Sequence, residues 1–548
     1  MFELIRSKLP FPARSPARSE FPRKASARAI ALAMAVLLAS SNFSHAQVQP
    51  PSSVGPSASL PSLGDNSELP AAAERRLGDR IATSIYRDPD LVDDPILNDY
   101  IDGIWQALRA AARARGELGP ELDERFAWEV FLVRDRSVNA FALPGGYFGV
   151  HLGLIGSVSS VDELAAVLAH ELSHVTQRHI SRLMTQQKQQ APWVIAAMIL
   201  GAMAASKNAN VGSAAIVGGQ ALAVQGQLNF SRDMEREADR VGFSVLQGAG
   251  FEIRGMASMF EKLQQASRLN DSGSFPYLRS HPLTTERIAE AQSRMQLNAK
   301  EPVRAEAAGN AVSPVLHAMM AARARILAAP GVDLLRPMVA EGERRAATPA
   351  TATANGRDAG ALYGGAFAAA QLRDFGTARS LLAKLKPLAA GNERAANAVN
   401  LLSIDIDLIS GTVPASAASF DLAAATTRAD VLMQSRALLA AKRAADVSSR
   451  LQTWVSVHPK DATAWQLLAT AYGNQGQNVR AIRADAESRA AQLDFGAAVD
   501  RLKAAQTMIR SNPASADHVE SSIIDTRTRQ LELVLKEQAL QDKIDRKL

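Results

Sequence analysis

Between Ser160 and Gln190 no proline or glycine interrupts the chain, and Leu164, Val167, Leu168, Leu172, Val175 and Ile180 return at helical spacing. Ser160-Val161-Asp162-Glu163 opens that run as a capping box, a serine N-cap with a glutamate three residues on. One long amphipathic helix is expected there. Inside it, His170-Glu171-Leu172-Ser173-His174 sets two imidazoles four residues apart, about 40° around the axis, so both project toward one point. Either a third group meets them there, or two histidines merely share a surface face. H-E-x-x-H on a helix favours the first: two neutral nitrogens offered to Zn²⁺, with Glu171 beside the metal's open position.

A hydrolytic zinc site needs three protein ligands and one open position. Downstream, Ser231 is a plausible N-cap for Arg232-Asp233-Met234-Glu235-Arg236-Glu237-Ala238-Asp239-Arg240, and Glu235 and Asp239 fall on one helical face. Glu237 points well away from that pair, so Glu235 is the preferred third ligand. The plainer alternative is a solvated charged helix. Two acids at that spacing repel unless a cation or a donor lies between them.

With those residues in view, the chain resembles the soluble branch of the CAAX-prenyl-protease and heat-shock-protease metallopeptidases. The likeness lies in HELSH, then after roughly sixty residues Glu235-x-Glu237-Ala238-Asp239-Arg240-x-Gly242. Asn139 to Gly146 with Gly153-Leu154, and Ser280-His281-Pro282 with Arg287-Ile288, add to it. It covers residues 70–295 strongly and the C-terminal half loosely. The resemblance implies a mainly α protein: a gluzincin-like zinc peptidase domain of helices plus a small sheet, followed by an all-α tetratricopeptide-like helical repeat domain. It implies one Zn²⁺ per chain on His170, His174 and Glu235, Glu171 as general base, and Asp239 as an acid or a partner behind a ligand. It further implies a periplasmic endopeptidase acting on unfolded or stalled outer-membrane proteins, with the repeats docking on the outer-membrane β-barrel assembly machinery.

Zn²⁺ lowers the pKa of a bound water from about 16 toward 7 and polarises a carbonyl. Glu171 then takes the proton and hands it to the departing amine. Asp239 has two readings, orienting a ligand histidine through its other ring N–H or donating a proton. Ala127 to Val133 and Ser137 to Phe141 read as short strands, followed by a Pro-Gly-Gly turn and Tyr147 to Val150. Such a hairpin either pairs an extended substrate backbone at its edge or only packs the zinc helix. His281, before a proline, is either a regulatory fourth ligand that holds the enzyme latent or a structural hydrogen-bonding group. His151, His179, His317, His458 and His518 show no partner at ligand spacing.

Residues 1–46 read as a signal peptide. Seven basic residues precede and flank an apolar core from Ala29 to Ala39, and Ser44-His45-Ala46 is a small-x-small site. The core is shorter than the roughly 20 residues of a bilayer span; an uncleaved anchor is the alternative. Removing this segment leaves about +1 of the formal +6 charge, so the basicity belongs to targeting, and nucleic-acid partners are not indicated. The absence of cysteine fits an oxidising periplasm and excludes a lipid-anchored lipoprotein.

Residues 47–66 form a flexible lead-in, 67–300 the peptidase domain, and 311–548 the repeat domain. Helices are expected at 71–87 and 95–115. The apolar stretch 193–225 is broken by Lys207, Asn208 and Asn210. It reads as a buried or lid-like helical pair before a membrane- or substrate-touching segment, and no transmembrane span is expected in the mature chain. Trp465, Leu468, Ala469, Tyr472 and Ala481 follow tetratricopeptide spacing after Pro459. Leu362, Ala366, Ala369, Ala378 and Leu382 repeat it more poorly, Phe495, Ala498 and Leu502 open another pair, and residues 346–360 are a loop. The alternative function is a chaperone-like assembly scaffold for outer-membrane proteins with a latent zinc site. A membrane-embedded CAAX-processing enzyme is disfavoured for want of spans.

Overall fold

The computed structural model describes residues 69–186, 231–268, 275–298, 313–328, 331–347, 356–420, 422–511 and 517–545. The expected signal peptide, the lead-in and the apolar stretch 193–225 lie outside them. The described chain is mostly helical with one small sheet.

Helix α1 (Ala71–Tyr86) precedes α2 (Pro95–Ala114). Asp94 caps α2 by accepting from the Leu97 N–H at 2.9 Å, and Pro95 fills the first turn, where no N–H is needed. Leu97, Tyr100, Ile101, Ile104, Trp105 and Leu108 form its buried stripe. The sheet comprises β1 (Leu91–Val92), β2 (Glu129–Val133), β3 (Ala140–Leu143) and β4 (Tyr147–His151), in the order β1-β2-β4-β3. β3 and β4 are the antiparallel hairpin, while β2 runs parallel to β4. Gly145 and Gly146 make the turn at φ of +74° and +79°, and a Cβ on Gly145 would meet the Arg75 Cα at 2.8 Å.

Two strands start later than expected. Trp128 sits at φ +54°, so β2 begins only at Glu129. The Asp135 carboxylate accepts from the Ser137 N–H at 2.8 Å in a local turn, which postpones β3 to Ala140.

α3 (Pro120–Arg125) and α4 (Leu152–Ser157) lead to α5 (Val161–Thr176), the H-E-x-x-H helix, which packs against β3 and against α7 (Arg232–Gly248) and α8 (Arg254–Arg268). The Ser160 hydroxyl accepts from the Glu163 N–H, as expected of an N-cap. The reciprocal half differs: the Glu163 carboxylate takes the Ser159 N–H at 2.6 Å and is held by Lys262 at 2.5 Å. The uninterrupted helix to Gln190 is corrected too. α5 stops at Thr176, Arg178 adopts the left-handed conformation (φ +57°), and α6 (His179–Gln186) starts in a new direction. Arg178 is tied there by the Leu69 carbonyl at 2.5 Å and by Glu74 at 3.0 Å, long-range partners with no local sequence signal. The short α9 (Tyr277–Ser280) and α10 (Thr285–Asn298) complete the region around the site.

The described residues beyond 311 form helices: α11 (Pro314–Ala328), α12 (Val332–Ala347), α13 (Gly356–Gln371), α14 (Phe375–Ala389), α15 (Glu393–Ser410), α16 (Arg428–Ala440), α17 (Ala444–Val457), α18 (Ala462–Asn474), α19 (Asn478–Ala491), α20 (Phe495–Ser511) and α21 (His518–Asp545), with two short 3₁₀ turns between α15 and α16. Asp374, Asn392, Thr427 and Asp461 cap α14, α15, α16 and α18 through their side chains. The expected loop 346–360 is shorter, since helix reaches Ala347 and resumes at Gly356. Trp465, Leu468 and Tyr472 are buried, and the Trp465 indole donates to the Pro459 carbonyl at 3.0 Å.

One apolar cluster runs from Ala71 to Ala437, so helices on both sides of position 300 share a core. Within it Arg323 is buried against two carboxylates from distant elements, Asp94 and Asp405, each at 2.6 Å. Among the described residues no helix is long and apolar enough to cross a membrane.

Candidate metal centre

α5 presents His170 and His174 on its buried face, one turn apart, with their Nε2 atoms 3.0 Å from each other. α7 crosses α5 closely at Gly242, where an added Cβ would lie 3.2 Å from the Ala169 carbonyl oxygen and the His170 nitrogen. That approach, with Ser231 capping α7 as expected, carries Glu235 and Asp239 to the histidines. Glu235 lies 3.5 Å from His170 Nε2 and 3.4 Å from His174 Nε2. His281, following α9, adds Nδ1 at 3.3 Å from His170 Nε2 and 3.0 Å from Glu235 Oε1. One ligand atom from each of His170, His174, Glu235 and His281 falls within a 4.8 Å span, all four buried.

Asp239 sits behind this group, its Oδ1 3.0 Å from His170 Nδ1. Both its oxygens accept from Arg287, at 2.6 and 2.8 Å, and another Arg287 nitrogen reaches Glu235 at 2.8 Å. The donor needed between the two helix acids is therefore Arg287, from α10. His174 turns its Nδ1 to His179 Nδ1 at 2.8 Å, and His179 Nε2 faces Glu237 at 3.0 Å. Glu171 points inward: its oxygens are fully buried without a well-formed hydrogen bond, and Oε1 lies 3.4 Å from His281 Nε2. Tyr277 stacks on His281 with ring centres 4.6 Å apart.

The electrostatics call for a cation. Burial would lower the His170 pKa, but the bonds to Asp239 and Glu235 outweigh it and push it up to about 10. His174 is driven well below the usual range by burial, and His179 down to about 4 for the same reason, against the pull of Glu237. Burial raises the Glu171 carboxyl, with His281 and His170 opposing. Glu235 and Asp239 stay ionised despite burial, the first beside His281, His170 and His174, the second beside Arg287 and His170. A pocket that draws a proton onto His170 supplies the negative field a metal ion takes up instead. Tetrahedral ligands about 2.0–2.1 Å from zinc lie about 3.3 Å from one another; the His170–His174, His170–His281, Glu235–His281 and Glu235–His170/His174 contacts run from 3.0 to 3.5 Å, within an overall span of 4.8 Å. The donor set fits zinc.

All the expected site residues, His170, Glu171, His174, Glu235, Asp239 and His281, thus come together. Sequence reading missed Tyr277, His179, Glu237 and Arg182 as participants. Arg287 stood in a matched pattern without a role. His179 was discounted for its spacing, and only the break at Arg178 brings it to His174.

The site lies within a stretch of the chain that is similar to known proteins. Residues 106–295 match peptidase family M48. The chain is similar to the putative beta-barrel assembly-enhancing protease of Vibrio cholerae, 37% identical over 43% of this chain and 47% of that protein. It is also similar to the beta-barrel assembly-enhancing protease of Yersinia pestis, 29% identical over 82% of this chain and 88% of that protein. The mitochondrial metalloendopeptidase OMA1 of Arabidopsis thaliana is 32% identical over 35% of each chain. The matches to the Vibrio cholerae and Escherichia coli proteins span about half of those relatives' length, 47% in each case. A domain of peptidase family M48 therefore lies in residues 106–295 of this chain.

Proposed function

We propose that the protein is a periplasmic zinc-dependent endopeptidase that hydrolyses unfolded or misassembled envelope and outer-membrane proteins. The observation that carries this reading is the buried His170, His174, Glu235 and His281 group with the Glu171 carboxyl beside it. His170, His174 and Glu235 are the proposed ligands. Zinc held there would polarise the scissile carbonyl and acidify a water molecule. Glu171 would accept a proton beside that position, and burial, which raises its carboxyl, suits it to hold that proton until the departing amine takes it. Asp239 orients His170 through Nδ1; an acid clamped by two nitrogens of Arg287 and held low is poorly suited to donate a proton. β3 is one of the two edge strands of the sheet and lies beside α5, and an extended peptide adding to it would be recognised through its backbone. The helical C-terminal region is assigned to recruiting protein partners, including the outer-membrane β-barrel assembly machinery.

Glu171→Gln in the purified full chain is expected to keep zinc and to abolish cleavage of an unfolded protein such as casein. A variant that still cuts at the wild-type rate removes Glu171 from its role.

His281 favours a second state of the same site. Four protein donors describe a closed zinc site, whereas a hydrolytic one keeps a position open. His281 is proposed as the removable fourth ligand, so His281→Ala should cut faster than wild type; unchanged or lower activity discards that role. A scaffold function would appear as full rescue of envelope integrity by the Glu171→Gln variant.

A further inference from the structure

We propose that His179 and Glu237 form a directed hydrogen-bond relay that fixes the tautomer of His174 and so holds its Nε2 ready for the metal. Both are positioning residues, and the proposal rests on the zinc reading above. The Glu237 carboxylate, paired with Arg182 at 2.6 Å, accepts, so the His179 Nε2 facing it at 3.0 Å carries the proton. A neutral His179 then offers the lone pair of Nδ1 to His174 Nδ1, 2.8 Å away. His174 must place its own proton on that Nδ1, which leaves Nε2 bare beside His170 Nε2 and Glu235.

The opposite direction fails at both ends. A proton on His179 Nδ1 would leave a lone pair on Nε2 facing the carboxylate, and it would force the His174 proton onto Nε2, where no cation could bind. Every position along the chain is settled by Glu237, which Arg182 pins at 2.6 Å. The backbone is shaped for this contact. Residues five apart on one continuous helix lie about 140° apart, so His174 and His179 meet only because the chain turns at Arg178. His170 has its own counterpart in Asp239, so each ligand imidazole of α5 has an acid behind it, one directly and one through a second ring.

The test measures zinc dissociation constants by chelator competition in the full chain for wild type, His179→Leu, His179→Asn and Glu237→Gln. Melting temperatures of the metal-free forms and the visible spectra of the cobalt-loaded forms accompany them. His179→Leu should bind zinc about 10- to 100-fold more weakly and shift the cobalt bands. His179→Asn keeps an acceptor where Nδ1 sits and should recover part of the loss. Glu237→Gln changes a partly exposed side chain, should melt near wild type without metal, and should weaken zinc binding by a smaller factor. An unchanged dissociation constant in Glu237→Gln and His179→Leu overturns the relay. So does an equal loss in the Asn and Leu variants accompanied by a fall in metal-free melting temperature. Wild type that takes up no zinc refutes the reading of the site itself, and the relay with it.

Discussion

Replacing Arg323 by methionine should be the most damaging single change outside the metal centre. The Arg323 side chain, 3% exposed, bonds Asp94 through two nitrogens at 2.8 and 2.6 Å and Asp405 at 2.6 Å. It also donates to the Tyr363 hydroxyl at 3.2 Å and lies over the Phe367 ring. Methionine fills much of the volume but removes the cation, leaving two carboxylates facing each other out of water. Breaking a buried ion pair from one side costs about 3–5 kcal/mol, a large part of the 5–15 kcal/mol typical of a folded domain. The pH dependence gives a second handle. Burial raises the Asp405 carboxyl in the folded state, with Arg323 opposing. A raised carboxylate favours folding below its unfolded pKa and loses that contribution as pH rises through its folded value. Without Arg323 the rise is larger, so the deficit of the variant should be greatest near neutrality and shrink as pH falls toward about 4. Urea unfolding at several pH values measures it. A loss below about 1 kcal/mol at pH 7, or a deficit that grows on acidification, would refute this account of the cluster.

Gly242→Val should push α7 off α5 and carry Glu235 away from the histidines, weakening zinc binding at least about tenfold (about 1.4 kcal/mol); calorimetric titration with zinc reads it, and wild-type affinity would show that the close approach is not needed. Glu163→Gln should cost about 1.5–3 kcal/mol, the range for hydrogen bonds to a charged group, because Ser159, Ser258 and Lys262 lose their ionised partner. Burial alone would raise the Glu163 carboxyl, but Lys262 and Ser258 hold it low. Its contribution is thus present above the unfolded value near 4.3 and lost as pH falls through the folded one, so wild type and variant should converge in acid urea titrations. Chelation should lower the melting temperature, since zinc at about 1,000 times its dissociation constant adds about 4 kcal/mol; an unchanged temperature would argue against a metal at this group.

The helix carrying the motif, the Ser160 cap, the second helix and the candidate residues His170, Glu171, His174, Glu235 and Asp239 were legible from spacing, because periodicity and capping are local; His281 was singled out by its place before Pro282 and by the resemblance. Four things were not legible. The turn at Arg178 has no glycine or proline to announce it; it is held by Leu69 and Glu74, about a hundred residues earlier. His179 was discounted because no partner stood at ligand spacing, and Glu237 because the wheel turns it away from the Glu235–Asp239 pair; their contact with each other arises only once the chain turns at Arg178. The part played by Arg287 depends on α10 folding back over α7, a tertiary event that no local pattern encodes. The C-terminal helices were readable as helices, but their sharing of one core with the first 300 residues was not.

That shared core bears on how the catalytic half can be handled. Leu362, Tyr363, Phe367 and Leu402 belong to the same apolar cluster as Leu97, Trp105 and Leu168. A fragment ending after α10 would bare a wall of grease that the intact molecule never shows to water, and would clump or need detergent. Any assay run on such a stub would report on a damaged surface as much as on the enzyme.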